Sequence, residues 1–164
     1  MIGILRAFGA LFLGGKTASY NPQFKETDEP VVEPNTRGTV LAIDDDADML
    51  GALRPALSAG GFTVLTAASG AKGLDMLRYC QKDVRLVVLD YNMPRLNGAD
   101  TLGYLKKLNP KVKVLALTGI ELGLLPEAFR TGVDKILPKP YSNSQLMTSI
   151  NELLGVPQPA PVAA

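Results

Sequence analysis

The stretch LVVLDYNMP, residues 86–94, decides the fold, because an unbroken apolar run ends there at the carboxylate Asp90. A strand made only of aliphatic residues is typical of a parallel sheet whose two faces are both covered by helices. A second run of this kind, TVLAI at residues 39–43, ends at Asp44 and Asp45. The carboxyl ends of parallel strands line the crevice in which open α/β sheets bind ligands. The two runs therefore predict a parallel α/β sheet with carboxylates gathered at one edge.

Three further apolar runs alternate with helical patterns, which indicates repeated strand–helix units joined by right-handed crossovers. Strands are predicted at residues 39–43, 62–66, 85–89, 112–117 and 134–137. Five helices are predicted. The first runs from a cap at Asp46 to residue 59, and the second begins after a cap at Ser69. The third contains Leu102 to Leu108, the fourth covers residues 124–131, and the last begins at Asn143 or Ser144. The fourth of these helices is expected to be weak, because Gly119 and Gly123 disfavour it.

The 164 residues are enough for one α/β domain with tails, and the apolar content of 46% supports a packed interior. The domain is expected at residues 39–154, with a disordered Pro- and Ala-rich tail at 155–164. Residues 14–38 are polar and contain prolines, which predicts a flexible linker. Residues 1–13, MIGILRAFGALFL, are apolar apart from Arg6 and shorter than the roughly 20 residues that span a bilayer. They are either an amphipathic anchor to a membrane or a partner, or a leader without function.

The net charge and the missing residue types exclude several kinds of site. A net charge of +1 gives no basic excess for binding nucleic acid. The chain has no histidine, which excludes Ser-His-Asp and Cys-His catalysis, imidazole metal ligands and phosphorylation of this chain on histidine. The one cysteine, Cys80, cannot form an intramolecular disulfide, which fits a reducing compartment. Carboxylate, amide, hydroxyl and lysine chemistry remain.

Polar groups follow four of the predicted strands, and all of them project at the same edge of the sheet: Asp44, Asp45, Asp90, Thr118 and Lys139. Acids at one edge repel each other unless a cation joins them, which points to a divalent metal and to chemistry on an anion. If that anion is a phosphoryl group, Asp90 can be the nucleophile without a base, because a carboxylate forms an acyl phosphate directly. Asp44 and Asp45 can hold Mg²⁺. Thr118 can donate a hydrogen bond to a phosphoryl oxygen, and Lys139 can supply a positive charge.

Each of these residues also has an ordinary structural explanation. The acids after the first strand can form only a turn and a helix cap. Asn92 and Gly98 can be simple turn formers, and a single lysine such as Lys139 is more often a solvated charge. The joint pattern, with polar groups after four strands at one edge, is much harder to explain by turns alone.

The order and spacing of four motifs between residues 38 and 154 resemble the receiver domain of two-component response regulators, such as the chemotaxis response regulator. The motifs are VLAIDDDADML (40–50), LVVLDYNMPRLNG (86–98), VLALTG (114–119) and VDKILPKPY (133–141). The resemblance implies a doubly wound, five-stranded parallel sheet of flavodoxin-like strand order 2-1-3-4-5, with helices on both faces.

The resemblance also implies a set of metal ligands around a phosphoacceptor. Asp90 would accept the phosphoryl group. Asp45 and Asp90 would bind Mg²⁺ directly, together with the main-chain carbonyl of Asn92. Asp44 would act mainly through a water molecule.

The remaining site residues implied by the resemblance lie after the last two strands. Thr118 would be the switch hydroxyl that follows the phosphoryl group, and Lys139 would bind the phosphate. The Lys139–Pro140 peptide bond would be cis, a state that is rare without proline. The phosphoryl donor would be a phosphohistidine on a separate histidine kinase or phosphotransfer protein.

The chain departs from the receiver pattern at two places. Receivers usually carry Tyr or Phe in the strand-five position where this chain has Ile136, so signalling through a moving aromatic ring is in doubt. The segment GIELGLLPEAF, residues 119–129, is about one residue short, which predicts an altered output surface. The phosphorylation residues are all present, so we expect intact chemistry with an unusual readout.

The primary hypothesis is a single-domain response regulator of the cytoplasm that signals by binding an unidentified downstream protein or by passing phosphate onward. An additional hypothesis is that residues 1–13 hold it near a membrane. It would be a phosphoacceptor rather than an enzyme in the usual sense. A second hypothesis is a receiver-like adaptor that works without phosphorylation, which Ile136 suggests. A third is a phosphatase of the haloacid dehalogenase type. That class normally has an acid two residues after the nucleophile, where this chain has Asn92.

Overall fold

Strands and helices alternate along residues 37–80 and 83–155, which are the residues that the computed structural model describes. The strands are β1 (Thr39–Ile43), β2 (Thr63–Ala67), β3 (Val84–Asp90), β4 (Lys113–Thr118) and β5 (Lys135–Pro138). The helices are α1 (Ala47–Ala59), α2 (Gly70–Cys80), α3 (Gly98–Leu108), α4 (Glu127–Gly132) and α5 (Asn143–Leu154). The predictions for segment 1–13, for nearly all of linker 14–38 and for nearly all of tail 155–164 fall outside the described residues.

The five strands form one parallel sheet in the order β2-β1-β3-β4-β5. This order confirms the doubly wound topology implied by the sequence. The strand order reverses between β1 and β3, which is the position where open α/β sheets bind their ligands. The crevice predicted to hold the carboxylates is therefore present at the carboxyl ends of these two strands.

Helices cover both faces of the sheet. Helices α1 and α5 pack on one face, where Leu57 and Ile150 are fully buried. Helices α2, α3 and α4 pack on the other face, where Leu77, Leu105 and Phe129 are buried. Of the helices in the described part of the chain, none has the length and apolar character needed to cross a bilayer.

Side-chain caps fix the starts of four helices close to the carboxyl ends of the strands. The predicted caps are confirmed, since Asp46 and Ser69 accept hydrogen bonds from backbone N–H groups in the first turns of α1 and α2. Asn97 caps α3 in the same way. Ser142 caps α5 and forms a capping box with Gln145. Each cap satisfies N–H groups that the helix cannot pair, which fixes the residue at which the helix starts. These starts lie next to the crevice, since each helix follows the carboxyl end of a strand.

The fourth helix differs from the prediction of one helix over residues 124–131. A 3₁₀ turn at Leu122–Leu124 is followed by an extended residue, Leu125, and then by the six-residue helix α4. Leu125 precedes Pro126, and the proline ring disfavours helical backbone in the residue before it. Leu125 accordingly has φ −74° and ψ 141°. The proline, rather than the glycines, divides this segment.

Asp134, in the turn before β5, joins α3 to β4. Its carboxylate accepts hydrogen bonds from Lys106 Nζ at 3.0 Å, from Lys113 Nζ at 2.9 Å and from the Val114 N–H at 2.9 Å. Burial alone would raise the pKa of Asp134, but these three donors outweigh it and lower the pKa below its ordinary value. The carboxylate is therefore held ionised in the folded protein.

We expect Asp134→Asn to lower the free energy of unfolding by about 1 kcal/mol at neutral pH, because two ammonium partners lose their anion. A carboxylate with a lowered folded-state pKa stabilises the protein above its unfolded pKa, and this contribution is lost as the pH falls through the folded value. The difference between the variant and the wild type should therefore shrink as the pH falls below 3.8, the ordinary value. Urea unfolding at several pH values measures this difference in the free energy of unfolding.

Asp75→Asn is the control, because it removes an exposed ion pair and should change stability by less than about 0.5 kcal/mol. Equal effects of Asp134→Asn and Asp75→Asn would contradict the role given to Asp134.

Two glycines of α3 occupy opposite environments. A Cβ added at Gly98 would lie 2.7 Å from the carbonyl oxygen of Asp90 and 2.7 Å from the Cα of Tyr91. These are backbone atoms of the loop that carries the predicted phosphoacceptor, so they cannot move aside cheaply. A Cβ added at Gly103 would meet nothing within 4 Å.

We expect Gly98→Ala to destabilise the protein by about 1–3 kcal/mol, because the new methyl group overlaps the β3–α3 loop. Gly103→Ala, in the same helix, should instead stabilise it by about 0.5–1 kcal/mol, because alanine has the higher helix propensity. Thermal or urea unfolding of the pair measures both changes. A neutral or stabilising Gly98→Ala would show that the loop does not press on α3 as described.

Candidate functional site

Strand register places the predicted carboxylates side by side. β1 and β3 are neighbours, and Ile43 is aligned with Leu89, so the residues that follow them, Asp44 and Asp90, stand next to each other. Asp90 is the last residue of β3 rather than the residue after it, because its backbone pairs with β4 beside Leu117. The alignment of these strands brings Asp44 and Asp90 together, and Asp45 follows in the loop between β1 and α1.

Thr118 and Lys139 reach the same edge through the next two strands. Thr118 ends β4 and is aligned with Pro138, the last residue of β5. The Lys139 N–H donates a hydrogen bond to the Thr118 carbonyl at 2.7 Å, which extends the ladder one residue beyond the strand. The Lys139–Pro140 peptide bond is cis, as the resemblance implied.

The three carboxylates form a compact cluster of possible metal ligands. One oxygen from each of Asp44, Asp45 and Asp90 lies within 4.8 Å of the other two. Asp44 is only 2% exposed and Asp90 5%, whereas Asp45 is exposed to solvent. Two buried anions and one accessible anion thus meet at one point of the surface.

Asp44 is the most buried of the three carboxylates, which disfavours its charged form. Burial is the main cause that raises its pKa above the ordinary value, and the nearby charge of Asp90 adds to the effect. The Asp46 N–H donates to the Asp44 carboxylate at 2.9 Å and opposes this rise, as does Lys139. A bound cation would relieve the same repulsion.

Lys139 supplies the positive charge of the cluster. Its Nζ donates a hydrogen bond to Asp90 Oδ1 at 2.7 Å and another to Asp44 Oδ2 at 3.3 Å. Burial alone would lower the pKa of Lys139, but the two carboxylates outweigh it and raise the pKa above its ordinary value. One ammonium group therefore faces three carboxylates, which leaves an excess of negative charge.

The donor set fits a hard divalent cation such as Mg²⁺. Carboxylate oxygens are the ligands that such ions prefer, and these ions retain water molecules in most protein sites. The exposed side of the cluster, at Asp45, leaves room for that water. Asn92, whose carbonyl is the remaining predicted ligand, lies exposed in the loop after β3.

Thr118 stands beside the cluster with its hydroxyl engaged by the backbone. The residue is 1% exposed, and its Oγ1 accepts a hydrogen bond from the Ile120 N–H at 3.0 Å. The hydroxyl hydrogen can still be donated to another group. The site thus offers one ammonium and one hydroxyl donor next to three carboxylates.

Two aromatic residues near the site were not singled out from the sequence. The Tyr91 ring, directly after Asp90, meets the Phe129 ring of α4 edge to face, with 4.8 Å between centroids. Tyr141 lines a cavity of about 490 Å³ together with Met49 and Leu53 of α1. Its hydroxyl is buried without a hydrogen-bond partner in the described residues, and burial raises its pKa. No periodicity could have revealed either contact, because each depends on how separate elements pack.

Comparison with known proteins gives a consistent family. Residues 40–151 match the response regulator receiver domain. The chain is 34% identical over 131 residues to the sensor kinase CckA of Brucella abortus, covering 77% of this chain and 13% of that protein. It is 34% identical over 116 residues to the transcriptional regulatory protein CpxR of Escherichia coli K12, covering 70% of this chain and 48% of that protein. The chain thus spans about half, or less, of the length of these curated relatives.

Solved structures give the same result. A response regulator receiver domain protein from Clostridium thermocellum superimposes with a TM-score of 0.67 at 32% identity, covering 72% of this chain and 94% of that one. A CheY-like receiver domain protein from Methanospirillum hungatei superimposes with a TM-score of 0.63 at 27% identity, covering 73% and 95%. The family match at residues 40–151 includes the strands and loops that form the carboxylate cluster. The chain belongs to the family of response regulator receiver domains.

Proposed function

We propose that the protein is a Mg²⁺-dependent phosphoacceptor that takes a phosphoryl group onto Asp90 and signals through that modification. The observation that carries the proposal is the position of Asp90, 5% exposed at the centre of a cluster of three carboxylates and 2.7 Å from the ammonium group of Lys139. An ion pair with a purely structural role would need only one carboxylate beside Lys139. The surplus of anions beside a nucleophilic carboxylate is what a phosphoryl-transfer site requires.

The transfer exchanges one bond to phosphorus for another. A carboxylate oxygen of Asp90 attacks the phosphorus of a phosphohistidine, the oxygen–phosphorus bond forms, and the nitrogen–phosphorus bond breaks. The imidazole nitrogen leaves with the bonding electron pair and takes a proton. Asp90 needs no base, since it attacks as an anion, which fits a chain without histidine.

Asp44, Asp45 and Asp90, with the main-chain carbonyl of Asn92, would hold the metal ion. When bound, Mg²⁺ supplies Lewis-acid stabilisation of the negative charge on the phosphoryl oxygens. Asp45 and Asp90 are the direct carboxylate ligands in this proposal. Asp44, which is buried and accepts a hydrogen bond from the Asp46 N–H, acts mainly through water.

Lys139 and Thr118 would bind the transferred group. Lys139 Nζ already bridges Asp90 and Asp44, so a short movement lets it pair with a phosphoryl oxygen. The Thr118 hydroxyl lies at the end of the neighbouring strand and donates to a second oxygen. Both contacts strengthen as charge collects on the phosphoryl group.

The proposed donor is a histidine kinase or a histidine phosphotransfer protein of the cytoplasm, and the proposed product is a changed surface that a further protein binds. The acceptor is consumed by each transfer, so this chain acts as a signalling partner rather than as a turnover enzyme. A receiver-like adaptor that works without phosphate is the second candidate, and Ile136 in place of the usual aromatic residue is the observation that favours it.

We expect the wild-type protein, incubated with Mg²⁺ and acetyl phosphate, to gain close to one phosphoryl group per chain by intact-mass spectrometry. Asp90→Asn should gain none, because its amide cannot form an acyl phosphate. Asp75→Asn, at an exposed ion pair on α2, is the matched control and should be labelled like the wild type. Labelling of folded Asp90→Asn would refute the assignment, and an unlabelled wild type would favour the adaptor.

We expect Asp45→Asn to weaken Mg²⁺ binding roughly tenfold or more, because a direct ligand loses its charge. Asp45 is exposed, so the variant should keep its fold. Asp48→Asn removes the same charge from the first turn of α1, outside the cluster, and should bind Mg²⁺ almost as the wild type does. Isothermal titration calorimetry measures the affinities. Equal affinities for Asp45→Asn and the wild type would place the ion elsewhere.

A further inference from the structure

The charges of the domain are divided between its two ends. The end opposite the carboxylate cluster, where strands begin and helices finish, is named the basic pole. In the described residues it carries nine cations: Arg37, Arg78, Arg85, Lys106, Lys107, Lys111, Lys113, Arg130 and Lys135. Only three acids lie with them, namely Asp83, Asp134 and Glu152, which leaves an excess of six positive charges.

The other end has the opposite sign. The loops after the strands and the first turns of the helices hold eight acids: Asp44, Asp45, Asp46, Asp48, Asp90, Asp100, Glu121 and Glu127. The cations among them are Lys72, Arg95 and Lys139, so this end has an excess of five negative charges. A net charge of +1 for the whole chain therefore conceals a strong separation of charge along the strands.

Some cations of the basic pole are bound within the domain and others face solvent. Lys106 and Lys113 share Asp134, and Lys135 pairs with Glu152. Among the described residues, no carboxylate pairs with Arg85, Lys107 or Lys111, and all three are exposed. The pole thus presents cations that internal ion pairs do not neutralise.

A groove at the basic pole has the size and lining for an anionic headgroup. It has a volume of about 400 Å³ and is lined by the cations Arg85, Lys111 and Lys113. The partly buried side chains of Leu153 and Leu154, at the end of α5, form its apolar wall. Cations beside an apolar wall match a phosphate group attached to a hydrocarbon chain.

The chain enters the domain at this same pole. Arg37, the first described residue, donates a hydrogen bond to the Gly60 carbonyl at 2.6 Å and stacks over the Phe62 ring, 4.6 Å from its centroid. Its guanidinium also donates to Asn151. These contacts hold the Arg37 side chain at the basic pole.

We propose that the basic pole binds the anionic headgroups of a membrane. Exposed lysines and arginines are attracted by anionic lipids, and the apolar wall of the groove matches the hydrocarbon next to a headgroup. The acidic end is repelled by anionic lipid, so this orientation turns Asp90 away from the membrane. The binding itself does not depend on phosphorylation of Asp90.

Vesicle sedimentation of the full chain tests the proposal. The wild type should sediment with vesicles of phosphatidylcholine and phosphatidylglycerol, more than with phosphatidylcholine alone, and added salt should weaken this binding. Lys107→Glu/Lys111→Glu should weaken it roughly tenfold or more. Lys72→Glu/Arg95→Glu makes the same change of net charge at exposed positions of the acidic end and should bind like the wild type. Thermal unfolding checks that both variants are folded.

Three outcomes would overturn the proposal. The first is equal binding to neutral and anionic vesicles, which would assign all affinity to apolar contacts. The second is an equal loss of binding in both double variants, which would show that net charge matters and the pole does not. The third is that the wild type does not bind vesicles. If it instead binds duplex DNA through Lys107 and Lys111, nucleic acid is the partner of this surface.

Discussion

The structure depends on one electrostatic constraint, the placement of three carboxylates around a single ammonium group. Asp44 and Asp90 are almost completely buried, and buried like charges are costly unless cations or hydrogen bonds compensate them. Lys139 compensates part of this cost by bridging both. The remaining negative charge keeps the site suited to a divalent metal ion. Strand register, helix caps and the loop after β3 all serve to hold these groups within a few ångströms.

The ends of the strands carry the site. Asp90 and Thr118 belong to the central strands, whose backbones are paired on both sides. Asp44, Asp45 and Lys139 follow directly after β1 and β5, so little loop separates them from the sheet. Gly98 adds to the rigidity, since its missing side chain lets α3 press directly on the carbonyl of Asp90. The repulsion among these carboxylates favours the binding of a cation.

Features that follow from backbone periodicity can be predicted from the sequence, whereas features that follow from packing between elements cannot. Apolar runs locate all five strands, and Asp46 locates the start of α1, because both signals are local. The helix before β5 begins later than the predicted residue 124, because Pro126 keeps Leu125 in an extended conformation. The Tyr91–Phe129 contact joins positions 38 residues apart along the chain, and no pattern within a single element encodes it. The separation of charge between the two ends likewise needs the topology, because it is not visible in the net charge.

The pairing of Tyr91 with Phe129 gives the unusual residue at position 136 a physical context. Ile136 packs in the same apolar layer as both rings, where the resemblance to receivers leads one to expect an aromatic side chain. An isoleucine has no phenol ring to reorient, yet the layer still contains an aromatic pair, formed by Tyr91 and by Phe129 of α4.

A six-residue helix is too short to be stable by itself, so α4 depends on the burial of Phe129. An edge-to-face pair contributes about 0.5–1.5 kcal/mol beyond burial, which corresponds to a shift in population of up to roughly tenfold. The Tyr91–Phe129 contact therefore joins the residue after Asp90 to α4 without an aromatic residue in β5.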